Sequence, residues 1–420
     1  MPAVAGSFAA TQGAWRFYAN AAVTLPGLAA PLIEAARQGI TAACEGFALV
    51  VMDWSNLHFN GQNFRSDRVE LSQRKDFGYE LLTALVISDQ DGSPLAPVAL
   101  ELRASTGVWS SRQATPVEAL SQLDALSPVM AHVEGLSLGR KLVHVIDREA
   151  DSVGHYRQWT RAGYVYLVRA NDARCVLYDR QERSLGAVAK TLAKQGALRL
   201  AREVTMRGQK ARQFVGETRV TLHRPARTHR IVGRGKKKKK RHVDIPGPAL
   251  SVRLIVSEVR DPTGKVLARW LLLSNAPLEV SAATVALWYY FRWEIESYHK
   301  LLKTAGMHVE QWLQDDAGTL AKRLAVAAMA AVTVWHLARD PRPEAEPMRQ
   351  VLVRLSGRQI KRGQGRPSFT TPALLAGLGV LLPMLCLLEE HSLDEITRLT
   401  RDALPAYLLP KGLTPTQDTG

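Results

Sequence analysis

Four side chains between residues 289 and 303 have types and a spacing that suit phosphate chemistry: Tyr289, Arg292, Glu296 and Lys303. On a helix that turns 100° per residue they share one strip, roughly 60° wide and about 21 Å long. The rival carboxylate Glu294 points to the far side of such a helix. A carboxylate among phosphate-binding groups suits a metal ligand beside a nucleic-acid backbone. An ordinary charged helix surface with i, i+4 ion pairs gives the same pattern, so both interpretations stay open at this point.

The strip belongs to a segment that predicts one long helix, Trp288–Lys303. This segment contains no Gly or Pro, and it follows the helix breaker Pro277 and the candidate N-cap Ser281. The strip then depends on a regular helix that continues from Tyr289 to Lys303.

Two aspartates follow apolar runs that are typical of buried strands. Asp53 lies at the end of Phe47–Trp54, and Asp147 lies near the end of Lys141–Glu149. Burying an unpaired carboxylate is costly, so Asp53 has either a chemical role or a structural hydrogen bond. Glu149 is predicted to point to the other face of the strand, and Asp151 to cap the next helix.

The elements around these aspartates predict the order β-β-β-α-β-α-β over residues 46–170. The further strands are Gly78–Ser88, Pro97–Ala104 and Tyr164–Ala170, and a helix is predicted from Thr115 because Thr-Pro with Glu118 forms a capping pattern. An acid on the first strand, a second on the fourth and a third on a later helix indicates a ribonuclease-H-like α/β core. Three converging carboxylates are the minimum that holds two divalent cations for in-line phosphoryl transfer.

Composition indicates the class of partner. Lys and Arg number 55 against 39 acids, which gives a net charge of +16. Nucleic acid is the first candidate partner and an anionic membrane surface the second. The cysteines Cys44, Cys175 and Cys386 are far apart, so the sequence offers neither a disulfide framework nor a zinc cluster.

Targeting and membrane signals are weak in this sequence. The N-terminus lacks the basic region of a secretory signal. The longest apolar run, Leu374–Leu388, is expected to be too short to cross a bilayer and to be broken by Pro383. We therefore expect a cytoplasmic protein without a membrane partner.

The remaining segments complete a five-part division. Residues 1–45 are a short helical region, 46–170 the first part of the core, 171–280 a β-rich insertion, 281–315 the core helix, and 316–420 a helical C-terminal region. The insertion carries the basic block Lys236–Lys240 with Arg241. Such a block is either a solvated loop or a contact to the phosphate backbone, with Lys237, Lys239 and Arg241 as candidates. Trp270, near the end of the insertion, is by default a core residue.

Four motifs, in order, resemble the hairpin-forming, cut-and-paste DDE transposases of bacterial insertion sequences (the IS-four family). The spacing of the 289–303 strip matches that family's YREK signature, within FRWEIESYHKLLKTAG. VMDWSNL around Asp53, VIDREADS around Asp147 and ARWLLLSNAPL around Trp270 resemble its other motifs. The resemblance covers about residues 45 to 340, and fewer residues precede the first strand than is usual in the family.

This resemblance implies a function for each motif residue. Asp53, Asp147 and Glu296 would be the catalytic triad that binds two Mg²⁺ ions, for which Mn²⁺ can substitute. Tyr289, Arg292 and Lys303 would contact DNA phosphates near the cleaved end, and Trp270 would stack on a flipped base. A homodimer that holds two transposon ends is the family arrangement, with the protein associated with the bacterial nucleoid.

The resulting hypothesis is a DNA transposase that nicks the element's end, forms a hairpin, reopens it and joins the 3′ ends to target DNA. A nuclease or resolvase on the same core is one alternative. A non-catalytic or truncated DNA-binding protein derived from a transposase is the other.

Overall fold

The computed structural model describes residues 8–206, 208–232, 239–358, 361–363 and 366–403. The helices in these ranges are α1 (Phe8–Ala19), α2 (Leu25–Ala43), α3 (Gln122–Gly135), α4 (Val153–Arg161), α5 (Leu185–Lys194), α6 (Ala282–Phe291), α7 (Trp293–Lys300), α8 (Ala317–Arg339), α9 (Ala345–Leu355), α10 (Thr371–Glu390) and α11 (Leu393–Ala403). The strands are β1 (Phe47–His58), β2 (Val69–Glu70), β3 (Phe77–Ser88), β4 (Pro94–Ala104), β5 (Gly107–Ser110), β6 (Lys141–Ile146), β7 (Val165–Arg169), β8 (Cys175–Tyr178), β9 (Gln181–Ser184), β10 (Arg199–Met206), β11 (Gln209–Leu222), β12 (Ala226–Val232), β13 (Lys239–Ile245), β14 (Leu250–Arg260), β15 (Val266–Ser274), β16 (Lys361–Gly363) and β17 (Arg366–Ser368).

A mixed sheet forms the centre of the larger part of the chain, and its strand order is β5-β4-β3-β1-β6-β7-β15-β14-β11-β8-β9. β3 is antiparallel to both β1 and β4, whereas β1, β6 and β7 are mutually parallel. The β1 side chains from Ala48 to Met52 are fully buried. A strand that is apolar on both faces belongs at the centre of a sheet covered on both sides, which is where β1 lies.

Two predicted element boundaries in this region are wrong. β1 continues to His58, so Asp53 lies within the strand and not at its end, because β3 pairs with β1 as far as its last residue. The predicted helix from Thr115 is absent from the described residues around it, because Val117 forms a bridge to Val108 and keeps this stretch extended. Helix α3 begins seven residues later, where the Ser121 hydroxyl accepts a hydrogen bond from the Asp124 amide.

The predicted single helix Trp288–Lys303 is also wrong in detail, because two irregularities divide it. The amide of Arg292 donates to the Tyr289 carbonyl, and the amide of Ile295 donates to the Arg292 carbonyl, both at 3.2 Å. These three-residue spacings tighten the backbone between α6 and α7. A π-helical turn then spans Leu301–Ala305 and changes the rotation per residue. The single strip computed for a regular helix therefore does not extend to Lys303.

The segment 171–280 contributes antiparallel strands that extend the same sheet. β15 pairs with β7, and β14, β11 and β8 follow in order. β12 and β13 form a separate two-stranded hairpin. Of the basic candidates in this segment, Lys237 lies outside the described residues, and Lys239 and Arg241 belong to β13.

The chain divides into two compact units, Tyr18–Val332 and a smaller unit formed by residues 1–17 and 333–420. The core of the smaller unit contains Val334, Leu352, Val353, Ala373 and Leu374. α9 and α10 approach closely there. A Cβ on Gly377 would lie 1.9 Å from the Leu352 carbonyl oxygen, so only glycine fits at this position.

Helix α10 corrects the expectation that Pro383 breaks the apolar run. The helix continues through Pro383 for 20 residues. By length and composition alone, α8 and α10 could each cross a membrane. In α8, 56% of the most apolar window is buried inside the protein, as in an ordinary core helix. In α10, the buried share of that window is 17%.

Candidate active site

Asp53 and Asp147 lie side by side at one edge of the parallel strands. The parallel pairing of β1 with β6 ends at Met52 and Ile146, and each aspartate is the next residue along its chain. Asp147 then begins a 3₁₀ turn, where its carboxylate accepts a hydrogen bond of 2.8 Å from the Glu149 amide. Both aspartates line a cleft of about 160 Å³.

A single guanidinium connects the strand-borne Asp53 to the helix-borne Glu296. Nη1 of Arg292 lies 2.9 Å from Oδ2 of Asp53, and its Nη2 lies 3.5 Å from Oε1 of Glu296. The Arg292 and Asp53 side chains are only 13% and 17% exposed, so this pair is shielded from solvent, whereas Glu296 is 41% exposed. The irregularity between α6 and α7 falls at Arg292 itself, where the chain brings its side chain against β1.

The negative charges of the acids repel one another. Burial raises the pKa of Asp53 to about 6, the Arg292 guanidinium opposes this rise, and the charges of Asp147 and Glu296 add to it. Carboxylate oxygens are the ligands that a hard divalent cation such as Mg²⁺ prefers. Asp53, Asp147 and Glu296 are therefore the residues that could hold such an ion.

Tyr289 and Trp270 lie next to this cluster. Tyr289 is buried, its ring centroid is 6.3 Å from that of Trp270, and the Arg292 guanidinium carbon is 6.0 Å from the Tyr289 centroid. Trp270 is half-buried on β15, two strands from β6. It is thus packed against Tyr289 and still accessible on part of its surface.

Lys303 lies apart from the strip predicted for it. Its ammonium donates to the Asn56 carbonyl at 2.6 Å and lies 3.6 Å from the Glu310 carboxylate. Glu310 in turn accepts a hydrogen bond of 3.0 Å from the His58 amide. The π-helical turn thus directs Lys303 to the last residues of β1, beyond Asp53.

Comparison with solved structures finds a distant similarity to a transposase. No protein-family model matches the sequence. A cryo-EM structure of the piggyBac transposase synaptic complex with hairpin DNA is similar with a TM-score of 0.37 and 9% sequence identity. The alignment covers 90% of this chain and 59% of that chain, so the chain spans less than two thirds of its length. Similarity at this level carries no weight for function.

Two predictions for the acids near Asp147 are wrong. Glu149 lines the same cleft as Asp53, because the 3₁₀ turn after Asp147 ends the alternation of an extended strand. Burial raises the pKa of Glu149, and Asp147 raises it further. Asp151 does not cap α4. Its carboxylate accepts hydrogen bonds from the Tyr156 hydroxyl and the Asn171 amide, which makes it a structural acid.

Sequence reasoning missed Arg169, whose positive charge opposes the rise that burial causes in the pKa of Tyr289. Arg169 is the last residue of β7, the parallel strand next to β6. Neighbouring parallel strands end at the same edge of a sheet. The end of the strand that follows Asp147 was therefore the place in the sequence that indicated a further residue of this site.

The metal-free protein is expected to gain stability as the pH falls through about 6. The folded-state pKa of Asp53, about 6, exceeds its ordinary value of 3.8. The ionised carboxylate therefore opposes folding, and the stabilisation present below about pH 4 is lost as the pH rises through about 6. Asp53→Asn removes this titration, so the difference between the free energies of unfolding of wild type and variant should change by up to about 3 kcal/mol.

Denaturant unfolding in EDTA between about pH 4 and pH 8 measures this difference. The general effect of low pH on the stability of a basic protein is the same in wild type and variant, so it cancels in the difference between their free energies of unfolding. Parallel pH profiles for the two proteins would show that Asp53 has an ordinary pKa.

Proposed function

We propose that this chain is a DDE transposase of the IS-four type that cuts and joins DNA ends. The observation that carries the proposal is the meeting of three acids from distant parts of the chain, with Arg292 bridging Asp53 and Glu296 and with Asp147 beside Asp53. The strand order β4-β3-β1-β6-β7, with β3 antiparallel to β1, supports a ribonuclease-H-like core. The net charge of +16 is consistent with double-stranded DNA as the partner.

In this proposal each group at the site has a separate task. Asp53, Asp147 and Glu296 hold Mg²⁺, which when bound activates an attacking oxygen and stabilises the leaving oxygen of an in-line phosphoryl transfer. Arg292 and Tyr289 bind a phosphate beside the acids, and Arg292 suits this task because its guanidinium can donate two parallel hydrogen bonds. Lys303 lies near the end of β1 and binds a phosphate of the same DNA strand, further from the cleaved bond.

The hairpin step needs a surface for an unstacked base. A strand that folds back to attack its complement must remove a base from the stack, and an aromatic face offsets part of that cost. The half-buried indole of Trp270, supported by Tyr289, offers such a face. Water attacks first and breaks a phosphodiester bond, which leaves a 3′-hydroxyl on one strand. This hydroxyl then attacks the phosphodiester of the opposite strand, which closes the hairpin and releases the 3′-oxygen of the flanking DNA. Two copies of the chain would hold the two ends.

A cleavage assay tests the proposal. The substrate is a labelled duplex that carries inverted repeats from the DNA flanking the reading frame, incubated with the full chain in Mg²⁺ and, as control, in EDTA. We expect a Mg²⁺-dependent nick followed by a hairpin, seen on a denaturing gel as a strand of doubled length. Nicking without a hairpin would instead indicate a nuclease or resolvase. DNA retention without cleavage in Mg²⁺ or Mn²⁺ would indicate a binding protein.

A further inference from the structure

A second cluster of metal-binding side chains lies where β8, β9 and β11 meet. Cys175, Glu182 and His223 each offer one ligand atom, and these atoms all lie within 4.8 Å of one another. The cluster combines a thiol, a carboxylate and an imidazole, whereas the candidate ligands at the Asp53 cleft are all carboxylates. The two sites therefore suit different metal ions.

The strand register explains how three distant residues converge. In the β8–β9 hairpin, Cys175 pairs with Ser184, so Glu182, two residues before Ser184, shares the face of Cys175. β11 pairs with β8 through Thr221 and Leu177. Continuing this antiparallel register by two residues brings His223 across from Cys175. All three side chains thus lie on one face of the sheet.

The contacts within the cluster resemble those of ligands already drawn together. Nε2 of His223 lies 2.6 Å from Oε1 of Glu182, and the Cys175 thiol donates to Oε2 of Glu182 at 3.8 Å. Nδ1 of His223 is buried and has no hydrogen-bond partner in the described part of the chain. The imidazole is therefore not committed to another structural contact.

One neighbouring cation competes for this cluster and can be displaced. Nη2 of Arg224 lies 3.0 Å from Oε2 of Glu182, but the two side chains are 52% and 53% exposed. An exposed ion pair of this kind contributes little free energy.

We propose that Cys175, Glu182 and His223 form a binding site for a transition-metal ion of the Zn²⁺ type. Zn²⁺ accepts sulfur, nitrogen and oxygen ligands, and three protein ligands leave one tetrahedral position for water. Binding displaces the thiol proton and replaces the hydrogen bond between His223 and Glu182 with bonds to the metal. The bound ion clamps the β8–β9 hairpin to the end of β11. This role is independent of the transposase proposal.

The site is tested by titrating the full chain, without a histidine tag, with Co²⁺. A thiolate bound to Co²⁺ gives a charge-transfer absorption band, which oxygen ligands such as those at Asp53 cannot give. We expect the band to saturate at one Co²⁺ per chain and to disappear when Zn²⁺ is added. Cys175→Ser should abolish the band. His223→Ala should weaken Co²⁺ binding at least about 100-fold, since even the outer partners of ligands contribute about 10–100-fold.

Matched variants make the result specific. Cys386→Ser removes an exposed cysteine elsewhere in the chain and should keep the band. Asp53→Asn should also keep it, which separates this site from the proposed active site. Zn²⁺ should raise the unfolding temperature of the wild type and leave that of Cys175→Ser unchanged, with circular dichroism reporting that the variants are folded. Absence of the band in the wild type, or its persistence in Cys175→Ser, would overturn the proposal.

Discussion

Replacing Asp53 with Asn, or Glu296 with Gln, is expected to lower Mg²⁺-dependent DNA cleavage at least about a thousandfold. A metal ion supplies several kcal/mol of charge stabilisation in phosphoryl transfer, and about 1.4 kcal/mol corresponds to a factor of ten in rate. An amide keeps the size of the side chain but removes the negative charge that would hold the proposed ion. Single-turnover cleavage of the labelled end duplex measures the loss.

Glu294→Gln is the matched control for this prediction. Glu294 lies on α7 two residues before Glu296, and its pKa is raised by burial and by Asp91, not by the acids of the cleft. The Glu294→Gln variant should cleave DNA at the wild-type rate. Duplex binding in EDTA should persist in all three variants, because we expect the net positive charge of the chain to supply it. A Glu296→Gln variant that cleaves normally would remove Glu296 from the catalytic role.

The position of the acids followed from sequence because it depends on general properties of strands. Asp53 and Asp147 each follow an apolar run, and adjacent parallel strands end at one edge of a sheet. Neither inference needs the exact strand ends, so the error in the length of β1 left the pairing of the two acids unaffected. Placing Glu296 beside them required the resemblance to a known family, because no local pattern specifies where a helix packs.

The errors arose where long-range contacts decide local structure. Val117 is extended because it bridges to Val108, although Thr115 begins a sequence typical of a helix start. The backbone tightens at Arg292, whose side chain pairs with Asp53, 239 positions away. Asp151 has the composition of an N-cap, yet it is held by Arg174 and Asn171. Propensity alone cannot predict such choices, because tertiary contacts outweigh it.

The Cys175 cluster was missed for a related reason. Motif searches for metal sites rely on short, regular spacings between ligands. Here the ligands are separated by seven and 41 residues, and only the register of three strands joins them. The correct register of β8 and β11 was not available from the sequence.

Arg292→Ala is expected to change metal binding and catalysis in opposite directions. The Arg292 guanidinium pairs with oxygens of Asp53 and Glu296, two of the three acids that would ligate a divalent ion. At an effective dielectric constant of about 20, opposite charges about 4 Å apart attract by about 4 kcal/mol. Removing this competing cation leaves the negative charges of the acids without a positive partner, so Mn²⁺ should bind about ten times more tightly. Cleavage should nevertheless fall about 100-fold or more, because the proposed donor to the transferring phosphate is lost.

Arg292→Lys separates these two effects. Lysine keeps the positive charge, so Mn²⁺ affinity should stay near that of the wild type. It lacks the planar pair of donors that matches a phosphate, so cleavage should still be impaired. Electron paramagnetic resonance of free Mn²⁺ gives the affinities, and single-turnover cleavage gives the rates. If Mn²⁺ affinity fell in Arg292→Ala, the guanidinium would be organising the acids for the metal and not competing with it. The expected result instead makes Arg292 a residue that neutralises the acids before the metal binds and turns to the DNA phosphate afterwards.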